Sequence, residues 1–166
     1  MHKITQLEFD SLPVINGYKQ CPGFTDYRRI VEFGNECRFG DGCRFGNRCR
    51  FGIWCRFGNE CLFGNRCRFG NECRFGNECL FESVYVSKLG NPLIQFDRFG
   101  SRQRCTQFFN TNSGIIVRCG CFLGTIAEFR AKVASTYGDS GHGLIYLGIT
   151  NIADEYFRQE DERNAP

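Results

Sequence analysis

Twelve cysteines and two histidines are the residues of this chain with the most obvious chemical potential. Eight cysteines recur every six residues from Cys37 to Cys79, where we expect each thiol to act as a small buried apolar group. The four that lie outside this series are Cys21, Cys105, Cys119 and Cys121. Four thiolates can hold zinc, but the Cys119-Gly-Cys121 spacing is shorter than that of zinc sites. We therefore predict no metal and no cofactor.

A strict six-residue repeat surrounds these cysteines. From Phe33 to Leu80 the chain consists of eight uninterrupted hexads, which read FGNECR, FGDGCR, FGNRCR, FGIWCR, FGNECL, FGNRCR, FGNECR and FGNECL. Helical periodicity would spread the phenylalanines around the surface, whereas a short strand places Cys and Phe on one face. Gly-Asn suits a corner because both residues tolerate positive φ. Each hexad is thus predicted to be a short strand followed by a corner, in a stacked solenoid.

The hexad resembles the hexapeptide repeat of left-handed parallel β-helices. That resemblance implies a triangular prism in which three hexads form one coil, although this chain has Phe where the family prefers aliphatic residues. Many members of that family are acyltransferases with an excursion loop and a histidine base. Here no loop interrupts the array, and His2 and His142 both lie outside it. We therefore expect no enzymatic activity.

The segments on either side of the array complete a mainly β fold. We predict an N-terminal cap over residues 1–32, the solenoid over 33–86, a strand and hairpin segment over 87–124, and a C-terminal helical hairpin with a tail over 125–166. Residues 89–92 resemble one more corner. Thr125 with Glu128 forms a capping box that opens the first helix. Its predicted apolar side consists of Ile126, Phe129 and Val133, and that of the second helix of Ile145, Ile149, Ile152 and Tyr156.

The order of short motifs along the chain resembles a group of uncharacterised bacterial and phage-encoded proteins. These proteins carry C-x-F-G arrays and an R-C-G-C-F-x-G-T segment, which here occupies Arg118 to Thr125. The resemblance implies a mobile-element origin and a similar fold. The N-terminus does not read as a secretory signal, and the chain has no long apolar run. We therefore expect a location in the host cytoplasm and no membrane partner.

The outward positions of the hexads carry the net positive charge of the chain. The array has eight Arg, no Lys and five acidic residues. In a coil of eighteen residues, Arg48 stacks with Arg66 and Arg50 with Arg68, which predicts a four-arginine patch for an anionic ligand. The alternative is a solvated surface. Trp54 replaces a polar residue and is a candidate to stack on a base. Leu62 and Leu80 form an apolar stripe, which predicts an oligomer or partner contact.

These features favour a non-enzymatic binding protein with an anti-defence role. Its predicted partner is a host defence protein that it masks, or an anionic nucleotide signal that it sequesters. A first alternative is a structural scaffold, a homo-oligomer joined through the C-terminal helices and the Leu62/Leu80 stripe. A second alternative is a solenoid that binds nucleic acid, whose affinity would fall steeply with salt.

Overall fold

The computed structural model describes residues 1–86 and 92–163, which fall into two units, Met1–Asn91 and Pro92–Pro166. The corner predicted at residues 89–92 lies almost entirely outside the described residues. The strands of the first unit are β1 (His2–Lys3), β2 (Val14–Ile15), β3 (Tyr18–Cys21), β4 (Thr25–Asp26), β5 (Glu32–Phe33), β6 (Cys37–Phe39), β7 (Arg44–Phe45), β8 (Arg50–Phe51), β9 (Arg56–Phe57), β10 (Leu62–Phe63), β11 (Arg68–Phe69), β12 (Arg74–Phe75), β13 (Cys79–Phe81) and β14 (Val84–Val86).

These strands form a three-sided parallel solenoid of about four turns, which confirms the predicted fold class. The three sheets have the strand orders β1-β4-β7-β10-β13-β14, β5-β8-β11 and β2-β3-β6-β9-β12. From β3 onward, parallel neighbours pair at an offset of eighteen residues, as in Arg50↔Arg68 and Arg56↔Arg74. The coil begins before the array, because β3, β4 and β5 already pair in this register. The hexads therefore continue a coil that a less regular sequence starts.

The core of the solenoid is three columns of phenylalanine rings. Within the array, rings one coil apart stack at centroid distances of 4.6–5.1 Å, for example Phe39 on Phe57 at 5.1 Å and 2°. Rings of neighbouring columns meet edge to face, as Phe51 and Phe57 do at 4.9 Å and 89°. Both arrangements are favourable for aromatic pairs. The phenylalanines therefore fill the prism in a regular order.

The corners hold successive coils together, and the role of glycine in them differs from the predicted one. Positive φ falls on the fourth hexad position, between 55° and 64°, and not on the glycine or asparagine that precede it. The glycine is needed for another reason: a Cβ at Gly46, Gly52, Gly58, Gly64, Gly70 or Gly76 would lie 2.6 Å from backbone of the preceding coil. The asparagine side chain accepts a hydrogen bond from the backbone N–H of the asparagine in the next coil. Asn47 Oδ1 accepts from Asn65 N at 2.8 Å, and Asn59 Oδ1 accepts from Asn77 N at 2.8 Å. We refer to these bonds as the corner ladder.

The N-terminal segment closes one end of the ring columns. Helix α1 (Gln6–Asp10) has a capping box in which Thr5 and Glu8 bond each other's backbone amides. It buries Phe9, whose ring meets Phe33 edge to face at 5.3 Å. Tyr27 is also fully buried and stacks over Phe45 at 5.5 Å. At the opposite end β14 pairs antiparallel with β13 and interrupts the parallel register.

The second unit is an antiparallel sheet with two helices. Its elements are β15 (Leu93–Phe99), β16 (Arg104–Thr111), β17 (Gly114–Cys119), β18 (Phe122–Thr125), α2 (Ile126–Tyr137) and α3 (Gly141–Arg163). The strands pair in chain order, and the predicted hairpin is β16 with β17. The Thr125–Glu128 capping box is present, and Phe129 and Val133 are buried.

The predicted apolar side of the last helix is partly wrong. The residues of α3 in the core are Tyr146, Ile149, Ala153 and Phe157, whereas Ile145 and Ile152 are 43% and 55% exposed. Two apolar stripes lie side by side on this helix. The stripe that contains the small Ala153, which has no exposed surface, faces the core.

The corner packing predicts an asymmetric response to alanine. Gly64→Ala places a methyl group 2.6 Å from the Gly46 carbonyl, so we expect a loss of about 1–3 kcal/mol in the free energy of unfolding. Gly34 has no atom within 4 Å of its would-be Cβ, so Gly34→Ala should change stability by about 0.5 kcal/mol or less. Urea unfolding followed by Trp54, the single tryptophan, measures both. Equal stability of the two variants would contradict the proposed role of the glycines.

Candidate functional site

The structure brings the four predicted arginines together on one side of the solenoid. Arg50 and Arg68 are paired neighbours on β8 and β11, and both side chains are exposed. Arg48 and Arg66 occupy the corner that precedes these strands, one coil apart, and are also exposed. The N–H of Arg48 donates to the carbonyl of Asn65 at 2.7 Å, which fixes the two corners against each other. The four residues thus form two short columns, one along the strands and one along the corner.

Two charged residues of this side precede the array and were missed by the sequence analysis. Glu32 pairs with Arg50 in the sheet, and its Oε1 lies 3.5 Å from Arg50 Nη1. Both side chains are mostly exposed, so this ion pair is weak. Arg29 is exposed at the position that aligns with Asn47. Applying the eighteen-residue offset upstream of Phe33 would have found both residues.

Ile53 and Trp54 lie at the other corner of the same sheet and depart from the hexad pattern. Ile53 is 41% and Trp54 45% exposed. The N–H of Ile53 donates to Asn35 Oδ1 at 3.0 Å, but Ile53 has no side-chain oxygen to offer Asn71 in the next coil. The corner ladder therefore stops here, and a large apolar surface faces solvent. We expect this exchange to lower stability, so packing alone does not explain it.

Together these residues define one surface with charged and aromatic parts. We refer to it as the arginine–tryptophan face: Arg48, Arg50, Ile53, Trp54, Arg66 and Arg68. It covers the outer side of β8 and β11 and the two corners that flank them. Arginine and tryptophan are the residue types most enriched among those that dominate the energy of protein interfaces.

A second arginine column lies on the β6–β9–β12 side and has a different environment. Arg38, Arg56 and Arg74 align in register. The guanidinium groups of Arg38 and Arg56 lie 5.3 and 5.0 Å from the centre of the Tyr18 ring. Cation–π contact with an internal aromatic ring partly satisfies these charges. Arg38 and Arg74, which lie one coil away from Arg56 and the Trp54 corner, therefore supply a control for the arginine–tryptophan face.

The apolar stripe predicted at Leu62 and Leu80 forms on the third side. The two leucines pair across β10 and β13, and Tyr85 on β14 pairs with Leu80. The leucines are half-buried and Tyr85 is 52% exposed. Partial desolvation, and then the nearby Glu78 carboxylate, raise the pKa of Tyr85. The stripe is short and has an acidic border.

The array cysteines are core residues, as their spacing predicts. All eight are buried, and thiols donate to glycine carbonyls of the preceding coil at 3.3–3.5 Å, for example Cys67 to Gly46. Contact with a stacked thiol, Cys67 for Cys49 and Cys55 for Cys73, and then burial, raise the pKa of Cys49 and Cys73. The same contacts lower the pKa of Cys55, which accepts from two neighbours. These thiols face away from solvent.

The cysteines outside the array occupy separate environments. Cys21 is buried in β3, and Cys105 lies in β16. Cys119 ends β17, where its sulfur accepts a bond from Thr106 Oγ1 at 3.2 Å, whereas Cys121 is exposed in the next turn. Gly120 between them has φ +63°, which suits a tight two-residue hairpin. Residues 1–86 and 92–163 contain no group of three or more His, Cys, Asp or Glu side chains arranged to hold a metal.

No protein-family model, curated protein or solved structure matches this chain. The resemblance to phage-encoded proteins therefore stays a prediction. Among the described helices, none is both long and apolar enough to cross a membrane.

The interrupted corner ladder predicts that the hexad consensus is more stable than the natural residue at position 53. Ile53→Asn supplies an acceptor for the Asn71 amide and removes exposed apolar surface, so we expect a gain of about 0.5–1.5 kcal/mol. The reciprocal change, Asn47→Ile, removes the acceptor for Asn65 and should cost about the same. Thermal unfolding followed by Trp54 fluorescence measures both variants. A less stable Ile53→Asn protein would show that Ile53 contributes to packing.

Proposed function

We propose that this chain is a non-enzymatic binding protein that docks an acidic partner on the arginine–tryptophan face. The observation that carries the proposal is the exposed Ile53–Trp54 pair beside Arg50 and Arg68, which replaces the consensus residues and gives up a ladder bond. An aromatic anchor next to arginines is the usual centre of a protein interface. The columns of exposed guanidinium groups would supply steering and specificity.

The shape of this surface favours a macromolecule over a small ligand. It is the outer side of short strands in a solenoid, whereas sites for small molecules are concave and enclose most of the ligand. We therefore favour masking of a host defence protein in the cytoplasm over sequestration of a nucleotide. Binding of nucleic acid stays an alternative, in which Trp54 would stack on a base and the arginines would contact phosphates.

Affinity capture with matched variants tests the face. We expect the wild-type protein to retain a defined host protein that the Arg48→Ser, Arg50→Ser, Arg66→Ser, Arg68→Ser variant loses, because its cationic contacts are gone. Trp54→Ala should weaken the same interaction by about 2 kcal/mol or more. The control is Arg38→Ser with Arg74→Ser, which removes arginines from equivalent hexad positions on another side and leaves Arg56, two residues after Trp54, in place. Quantitative mass spectrometry of the retained proteins provides the comparison.

Two outcomes would contradict the assignment. If the control variant loses the captured host protein to the same extent, only total positive charge matters. If the four-arginine variant captures the protein unchanged, this face does not take part in the interaction. If the retained material is nucleic acid, the logarithm of the binding constant should fall linearly with the logarithm of the salt concentration. Native mass spectrometry of the gently purified protein would detect a retained nucleotide as additional mass.

The scaffold alternative is favoured by one specific observation, an apolar strip along α3. Leu144, Ile145 and Ile152 are 62%, 43% and 55% exposed, although the helix has a separate buried side. Ile145 and Ile152 are seven residues apart and so lie on one side of the helix. Such a strip would suit contact with a second copy of the chain.

The oligomeric state tests this alternative. If α3 joins copies of the chain, Ile145→Glu with Ile152→Glu should convert the assembly to a monomer, because buried carboxylates would face each other or apolar surface. Leu7→Glu, on the 80% exposed Leu7 of α1, is the matched control and should leave the assembly unchanged. Size-exclusion chromatography with light scattering gives the mass of each variant. A monomeric wild-type protein, or an assembly that survives the double substitution, would exclude this interface.

A further inference from the structure

A cleft of about 370 Å³ lies in the second unit, beside the β17–β18 hairpin and between α2 and the start of α3. Its volume falls within the range of small-molecule sites. The residues that matter for its chemistry are Ser101, Arg102, Cys119, Lys132, Tyr137 and Tyr146. Cys119 comes from the R-C-G-C-F-x-G-T segment, which neither the array nor the arginine–tryptophan face explains.

Aromatic rings form the wall of the cleft and support one another. Tyr137 and Tyr146 stack at 5.5 Å, and Phe129 meets Tyr146 edge to face at 5.9 Å. Phe122 packs against Phe129 at 5.3 Å. Since these rings are held by their neighbours, the wall does not need a ligand to form it. A flat ring is the group that such a wall accommodates best.

Hydroxyl groups converge at the same place. Ser101 Oγ lies 2.6 Å from the hydroxyl of Tyr137. Gly100 has φ +73°, and a Cβ there would lie 2.0 Å from the hydroxyl of Tyr146, so only glycine leaves room for that phenol. Desolvation, and then the Cys119 thiol, raise the pKa of Tyr146, which keeps the phenol protonated as a hydrogen-bond donor. The cleft therefore combines fixed donors with an apolar wall.

Two cations line the cleft. Arg102 and Lys132 are exposed, and neither forms an ion pair within the described parts of the chain. Arg130, two residues before Lys132 on α2, instead binds Asp154 at 2.9 Å and Asn151 at 3.1 Å. The positive charges of Arg102 and Lys132 are thus available to an anionic group, which guanidinium and ammonium groups bind with charge-assisted hydrogen bonds.

We propose that this cleft binds a small molecule that combines an aromatic ring with one phosphate or carboxylate group. The ring lies against Tyr137 and Tyr146, the anionic group lies between Arg102 and Lys132, and the hydroxyls of Ser101 and Tyr146 complete its coordination. This site is separate from the arginine–tryptophan face and does not depend on the function proposed for that face.

Titration calorimetry with defined probes tests the site. Phenyl phosphate and benzoate each join a phenyl ring to one anionic group, and phenol is their neutral counterpart. Adenosine 5′-monophosphate and adenosine form a second, larger pair of an anionic and a neutral probe. We expect at least one of the anionic probes to bind at least tenfold more tightly than the neutral probe with the same ring. Phenyl phosphate against benzoate identifies the anionic group. Bound probe should also slow alkylation of the exposed Cys121 but not of Cys105, as measured by mass spectrometry.

Substitutions distinguish binding in the cleft from binding elsewhere on the molecule. Arg102→Gln with Lys132→Gln should weaken binding of the anionic probe by about tenfold for each lost cation. Arg130→Gln removes a charge from the same helix and should bind normally, as should the four-arginine variant of the solenoid. Tyr146→Phe removes one of the two proposed coordinating hydroxyls while it keeps the ring of the wall, and it should weaken binding of the anionic probe. The proposal is overturned if anionic probes bind no better than neutral ones, or if the double variant binds them equally well.

Discussion

The solenoid depends on a coincidence of two distances, the spacing of paired strands and the spacing of stacked aromatic rings. Paired strands lie about 4.8 Å apart, and the rings of the array stack at 4.6–5.1 Å. One displacement of the chain therefore satisfies the backbone hydrogen bonds and the ring contacts together. Three large rings in each coil leave little room at the other inward position, which accounts for cysteine in all eight hexads. Phenylalanine replaces aliphatic residues without loss of order because the columns meet edge to face.

The same register imposes a cost on the outer surface. Residues eighteen apart must stack, so arginines at the sixth position form columns of like charge that the sequence cannot disperse. The repulsion between stacked arginines is reduced differently in the two columns. Tyr18 lies under Arg38 and Arg56, while Arg50 has a weak exposed pair with Glu32. The exposed positive charge of the Arg48/Arg66 and Arg50/Arg68 columns suits an anionic partner.

The sequence was sufficient to predict those features that depend on short-range periodicity. The hexad spacing led to the strand-and-corner unit, and the resemblance to hexapeptide repeats led to the eighteen-residue coil and the arginine columns. Thr125 with Glu128 led to the start of α2. Features set by distant contacts were not predictable. The glycine requirement arises from the preceding coil, and the buried side of α3 is chosen by Ala153 against its neighbours. The cleft draws its lining from Ser101 to Tyr146, residues that no local pattern connects.

Departures from a repeat identify function only when packing does not account for them, and two corners of the array provide one departure of each kind. Asp41-Gly42 replaces the usual Asn and charged residue, yet Asp41 still accepts the ladder bond from Asn59 at 2.7 Å. Gly42 also leaves room for the Phe24 ring, which a Cβ there would approach to 2.7 Å. Packing does not explain Ile53-Trp54 in this way. Ile53 has no side-chain oxygen to accept the next bond of the corner ladder, and both residues are more than two-fifths exposed. Selection for stability would retain Asn and a charged residue at those positions, and this supports the proposal that Ile53 and Trp54 contact a partner.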